Sequence, residues 1–138
     1  MSSLNTPSAA LQFTNDNKHA YAFSGPYQAD SASHKVISFR TESYYLKATI
    51  TVNGAVNPLT SSVANTNGQI KLNDITIGVA PMSTALDNNY NYRESLIIPP
   101  FTQVDIYINF HETDSNDIAT ALVMAEVFEG PRVGNLDD

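Results

Sequence analysis

Along this chain hydrophobic residues recur at every second position, and seldom at every third or fourth. Tyr44, Leu46, Ala48, Ile50 and Val52 share one side of an extended segment, with Tyr45, Lys47, Thr49 and Thr51 on the other. Successive side chains of a strand point to opposite faces, so one face is core and the other is wet or interfacial. Asn53-Gly54 then supplies a turn dipeptide. Val104, Ile106, Ile108 and Phe110 repeat the pattern against Gln103, Asp105, Tyr107 and Asn109. Shorter runs at 10–14, 19–24, 35–41, 69–72 and 75–80 read as further strands. Between 69 and 80 the alternation slips by one at Asn73-Asp74, which predicts a bulge or tight turn. No stretch of twelve residues shows the helical spacing, and β-branched residues with Asn and Ser dominate.

The last strand, Ile118–Glu129, departs from this rule. Its IATALVMA run is apolar at every position but Thr120, so both faces should be covered. Two arrangements satisfy that: a central strand, or a strand whose outer face meets another subunit. About eight short strands joined by Asn-, Ser-, Gly- and Pro-rich loops predict an all-β antiparallel β-sandwich. A jelly roll is the first choice and an immunoglobulin-like sandwich the second. The sandwich should span residues 11–130, between an N-terminal arm at 1–10 and a C-terminal tail at 131–138. The longest loops fall at 58–68 and 81–93. Ile97-Ile98-Pro99-Pro100 reads as a stiff extended lead-in to the strand after it, because proline fixes φ and donates no hydrogen bond.

Composition narrows the function classes. The 138 residues make one domain, and the absence of cysteine excludes disulfides and thiolate metal sites. Net charge is −7, and eight acids face Arg132 alone after residue 104. That balance repels phosphate backbones, so nucleic acid is not an expected partner. No apolar run is long enough for a membrane helix, and no secretory signal is visible, so synthesis and use in the cytoplasm are expected.

Candidate chemistry is sparse. His19, His34 and His111 stand at no two-histidine metal spacing, and neither a nucleophile elbow nor a Gly-rich phosphate loop occurs. No catalytic residue, cofactor or metal is therefore assigned. Asp87, Asn89 and Asn91 place oxygens at alternate positions as a calcium loop does, but Tyr92 stands where its glycine belongs. Residues 111–117 are oxygen-rich too, in a composition ordinary for turns. Tyr90, Tyr92 and Tyr107 offer apolar rings with polar tips to a sugar. For Tyr107 the competing role is cross-strand packing, and for Tyr90 and Tyr92 it is a loop that pins itself down or, the preferred of the two, one that docks on a neighbour.

The segments KVISFRTESYYLKATITVNG at 35–54, LIIPPFTQVDIYINF at 96–110 and TALVMAEVFEGPR at 120–132 together resemble small β-sandwich proteins of tailed-phage virions. These are capsid decoration, or cement, proteins. The resemblance implies a homotrimer on the outside of the major capsid shell, with the major capsid protein as partner and terminal arms reaching neighbours. It places Leu122, Val123, Met124 and Val127 in sheet or trimer packing. Partner contact would fall to residues 1–12, to the loop at 87–93 with Tyr90 and Tyr92, and to Phe101 held out by Pro99-Pro100. A carbohydrate- or receptor-binding module, as in a tail or head fibre, is the alternative.

Overall fold

A computed structural model describes residues 8–28, 30, 32–55, 67–81, 89–110 and 118–129, with backbone alone at 55, 80–81 and 89–91. Ten strands follow one another: β1 (Gln12–Phe13), β2 (His19–Phe23), β3 (Tyr27–Gln28), β4 (Ser33–Arg40) and β5 (Tyr44–Ala55). They continue as β6 (Asn67–Leu72), β7 (Ile75–Pro81), β8 (Asn89–Ile98), β9 (Gln103–Asn109) and β10 (Ile118–Glu129). One sheet runs β1-β2-β10-β5-β8, with β3 also on β10, and the other runs β4-β9-β6-β7. Every strand pairing is antiparallel. The chain crosses between sheets at every connection from β3 onward except the β6–β7 hairpin, which is jelly-roll topology.

The expected sandwich is present, with ten strands in place of about eight. The main addition is β8. The segment expected as a loop and a proline-stiffened lead-in pairs with β5 from Asn89–Ala55 through Ile98–Leu46. Its composition, NYNYRESLII, is polar because β8 is an edge strand with one side in water. The slip expected at Asn73-Asp74 is a two-residue turn with both residues at positive φ, and a bulge follows beside Ile70.

The core lies between the sheets; Tyr27, Leu46, Ile50, Val52 and Ile98 of the larger sheet are fully buried in it, and bulk is lacking only under β2 and β10. The four-stranded sheet contributes bulk: Val36, Ile37, Phe39, Ile70, Val104, Ile106, Ile108 and Phe110 are all buried. On the facing sheet, β2 and β10 contribute mainly Ala20, Ala22, Ala119, Ala121, Val123 and Ala125. Large side chains against small ones let the layers interdigitate without voids.

Pro99-Pro100 lies at the crossing from β8 to β9, where no ladder needs its missing donors. Thr41, fully buried, ties this crossing down. Its hydroxyl donates to the Pro99 carbonyl at 2.7 Å and accepts from the Thr102 N–H at 2.8 Å. Thr41→Val keeps the shape and leaves both groups short of a partner. Urea unfolding should show a loss of about 1–3 kcal/mol, the cost of stranding buried polar groups. A change below a few tenths would mean that water replaces the hydroxyl.

Candidate interaction surface

In HAYAF (β2) the alternation sends Ala20 and Ala22 inward, and His19, Tyr21 and Phe23 outward. In β10 it sends Ala119, Ala121, Val123 and Ala125 inward, with Leu122, Met124, Glu126 and Phe128 on the outer side. These two strands thus bury their small residues and show their large ones, the reverse of the usual partition. The bulk of the opposite sheet matches this, since the wall that β2 and β10 form buries nothing larger than Val123. A one-residue slip would turn the large side chains inward and into collision.

Register assembles the outward residues into one face. Leu122 stands between Phe23 and Thr51, Met124 between Tyr21 and Thr49, and Glu126 between His19 and Lys47. Tyr21, Phe23 and Met124 are 48%, 53% and 59% exposed. An open concavity of about 510 Å³ lies here, lined by Tyr21, Thr49, Leu122, Met124, His19, Lys47 and Glu126 among others. Beyond the polar belt of His19, Glu126 and Lys47, Tyr45 stacks on Phe128 at 5.2 Å between ring centroids. Contiguous exposed apolar patches of this kind mark interaction sites.

A second feature stands at the end of the sandwich. Phe101 has φ of +54° and is 60% exposed, although its N–H is held by the Glu42 carbonyl at 2.9 Å. A left-handed φ costs a side-chain-bearing residue about 1–2 kcal/mol, and a bulky ring in solvent contributes nothing to offset it. The surrounding turn maintains the conformation, through Thr41, Thr102 and the two prolines.

The residues singled out from sequence are distributed over different parts of the structure. Leu122 (half-buried) and Met124 lie on the outer face, and Phe101 is exposed as expected. Val123 does not face a partner: it is fully buried in the core, because odd-numbered positions of β10 point inward. Val127 also packs partly against the core. Tyr92 is no loop tip. It lies in β8, half-buried and opposite Val52, and its hydroxyl donates to Glu94 at 2.7 Å. Tyr90 belongs to β8 as well, opposite Gly54, and its side chain is outside the described residues. So are residues 1–7, 82–88 and 111–117, which include Asp87 and His111 of the candidate ligand sets. From Ser8 the N-terminal segment runs on the chain's own sandwich: Ala9 bridges to Ile37, donating to the Val36 carbonyl at 2.9 Å. Sequence reading missed Tyr21 and Phe23, although the alternation of alanine with aromatics in AYAF was the available signal.

Polar clusters elsewhere serve the fold. Asp105, buried on the outer side of the four-stranded sheet, accepts from Ser38 at 2.6 Å and Gln103 at 3.0 Å, with the Lys35 ammonium 3.9 Å away. Lys35 and Lys71 sit 5.8 and 5.0 Å from the centre of the Tyr107 ring, so the protein's own side chains already engage that ring. His34 faces the Asp30 carboxylate at 2.8 Å, between the rings of Tyr27 and Phe110. Hydrogen bonds from the Thr14 hydroxyl and the Lys18 N–H hold the Asp16 carboxyl below its usual range at the β1–β2 turn. Burial raises the Tyr44 phenol, with Glu42 adding to the effect. Among the described residues no three or more His, Asp or Glu side chains gather as metal ligands would.

No protein-family model matches the chain, and no curated protein matches it in sequence. Solved structures of similar fold include dimeric latent PorU from Porphyromonas gingivalis, at TM-score 0.50 and 11% identity. That likeness covers 93% of this chain but only 14% of PorU. A family 35 carbohydrate-binding module from Clostridium thermocellum aligns at TM-score 0.41 and 11% identity, over 85% of this chain and 87% of its own. VP2 of an infectious bursal disease virus subviral particle aligns at 0.42 and 11%, over 92% of this chain and 38% of VP2. At these identities the likeness is one of fold alone.

Proposed function

We propose that this protein is a non-enzymatic structural component of a phage virion, a capsid decoration protein that forms a homotrimer on the outside of the major capsid shell. The observation that carries this reading is the inverted partition on β2 and β10. Tyr21, Phe23, Leu122 and Met124 share an outer face while alanines fill the core behind them. A surface so built gains by being covered, at roughly 25 cal/mol for each Å² of apolar area removed from water. The sequence resemblance over residues 35–130 supplies the virion, and an acidic chain suits a shell's outer side, away from packaged DNA. Native mass spectrometry of the purified chain is the first test. Three copies at micromolar concentration support the reading, and a monomer throughout overturns the trimer. Imaging of intact particles then tests the position on the shell.

One observation favours a second reading, a carbohydrate- or receptor-binding module. The concavity sets the Tyr21 ring beside His19, Lys47, Thr49 and Glu126, an aromatic surface ringed by hydrogen-bonding groups. If this reading holds, a glycan array should yield specific ligands whose binding falls at least about tenfold in Tyr21→Ala, a loss of 1.4 kcal/mol or more. Tyr92→Phe should leave that binding unchanged, since Tyr92 lies on the inner face of β8. Silence across the array with a trimeric wild type leaves the assembly reading alone.

A further inference from the structure

The structure carries an exposed aromatic ring, Phe101, and on a different surface an open recess. We infer that Phe101 of one copy seats in the concavity of the next, against Tyr21, Leu122 and Met124, so that the interface is heterologous and closes into a ring. This rests on the proposed self-assembly and specifies its geometry.

Three observations select this occupant. Phe101 holds a left-handed φ with its ring in solvent, a conformation that brings its own fold no burial. Its position is fixed beforehand by the two prolines, by the buried Thr41 and by the Glu42 carbonyl, so docking has little freedom left to remove. The recess, about 510 Å³, has room for an aromatic side chain, and Tyr21 and Met124 offer ring–ring and sulfur–ring contacts. Ring and recess belong to different surfaces. Phe101 stands at the β8–β9 end of the sandwich, and the recess lies on the outer face of β2, β10 and β5. Each copy therefore uses one surface as donor and another as acceptor, and such contacts form closed rings when the rotation between copies completes a circle. A rigid aromatic anchor in an apolar pocket is also the usual form of an interface hot spot.

The test pairs two variants of the full chain by sedimentation velocity. Phe101→Ala removes the ring and keeps the recess, while Met124→Glu spoils the recess and keeps the ring. Each alone should be monomeric with unchanged far-UV circular dichroism. An equimolar mixture should give a heterodimer that stops at two copies, since only one productive contact remains available. A trimeric wild type whose Phe101→Ala variant is equally trimeric overturns the ring-and-recess contact and leaves the proposed assembly intact. A mixture that stays monomeric, with both single variants folded, overturns it too. A wild type that is itself monomeric overturns both.

Discussion

Met124→Glu should abolish self-association while leaving the fold untouched. Met124 is 59% exposed in the single chain, on the outer side of β10, so the substitution removes little from the core. Surface changes of this kind usually stay within about 0.5 kcal/mol of wild-type stability. At an interface the same change loses the burial of a methionine, about 1.5–3 kcal/mol. It also confines a carboxylate whose nearest charged neighbours, Glu126 and Lys47, already stand close together across the strands. An uncompensated buried charge costs several kcal/mol more. Association should therefore weaken by at least about a hundredfold, since each 1.4 kcal/mol is a factor of ten. Native mass spectrometry across a dilution series reads the shift, and thermal unfolding of the monomeric variant reads the fold. An unaltered copy number would show that β10's outer face takes no part in assembly.

Ile106→Ala should do the opposite, damaging the monomer directly. Ile106 is fully buried at the centre of the four-stranded sheet, opposite Ile37 on β4 and Ile70 on β6. Its neighbours are β-branched and held by two ladders, so the cavity left behind has little means of collapse. Isoleucine-to-alanine changes in such sites cost about 2–5 kcal/mol. For a domain of this size that should lower the melting temperature by roughly 7–17 °C. Ile106→Val, losing one methylene, should cost about 0.5–1.5 kcal/mol. A chemical denaturation series on both variants checks the order. Equal, small losses would mean that the core is looser at β9 than its burial shows. Together, Met124→Glu and Ile106→Ala separate the two faces of the sandwich: one breaks assembly at constant stability, the other breaks stability first.

Much of the fold was legible because a period of two needs no tertiary information. Tyr44 to Val52 and Val104 to Phe110 showed their strands in the bare chain, and Ile118–Glu129 showed a strand with apolar residues on both sides. β8 was not legible. An edge strand has only one ladder to satisfy and one face to bury, so NYNYRES carries the polar composition of a loop. The same edge position turned Tyr92 from an expected docking residue into an inward side chain bonded to Glu94. The question of β10 was legible only as a pair of alternatives, and the structure shows the first of them without covering the outer face. The strand is central, between β2 and β5, and its outer face still carries exposed apolar residues.

By itself, then, the sequence determined the fold class, the strand periodicity, the absence of thiol chemistry and the acidic balance. Each of these follows from local spacing or a count of side chains. The tertiary structure alone decided which side of β2 and of β10 faces in, since each offers apolar residues on both sides. That choice goes with the bulk of the opposite sheet: facing Ile37, Ile106 and Ile108, β2 and β10 bury alanines and nothing larger than a valine. It sent Val123 into the core and Met124 outward from adjacent positions, and it brought Tyr21 and Phe23, a hundred residues away in the chain, beside them. A surface formed from strands so distant exists only once the register between them is set.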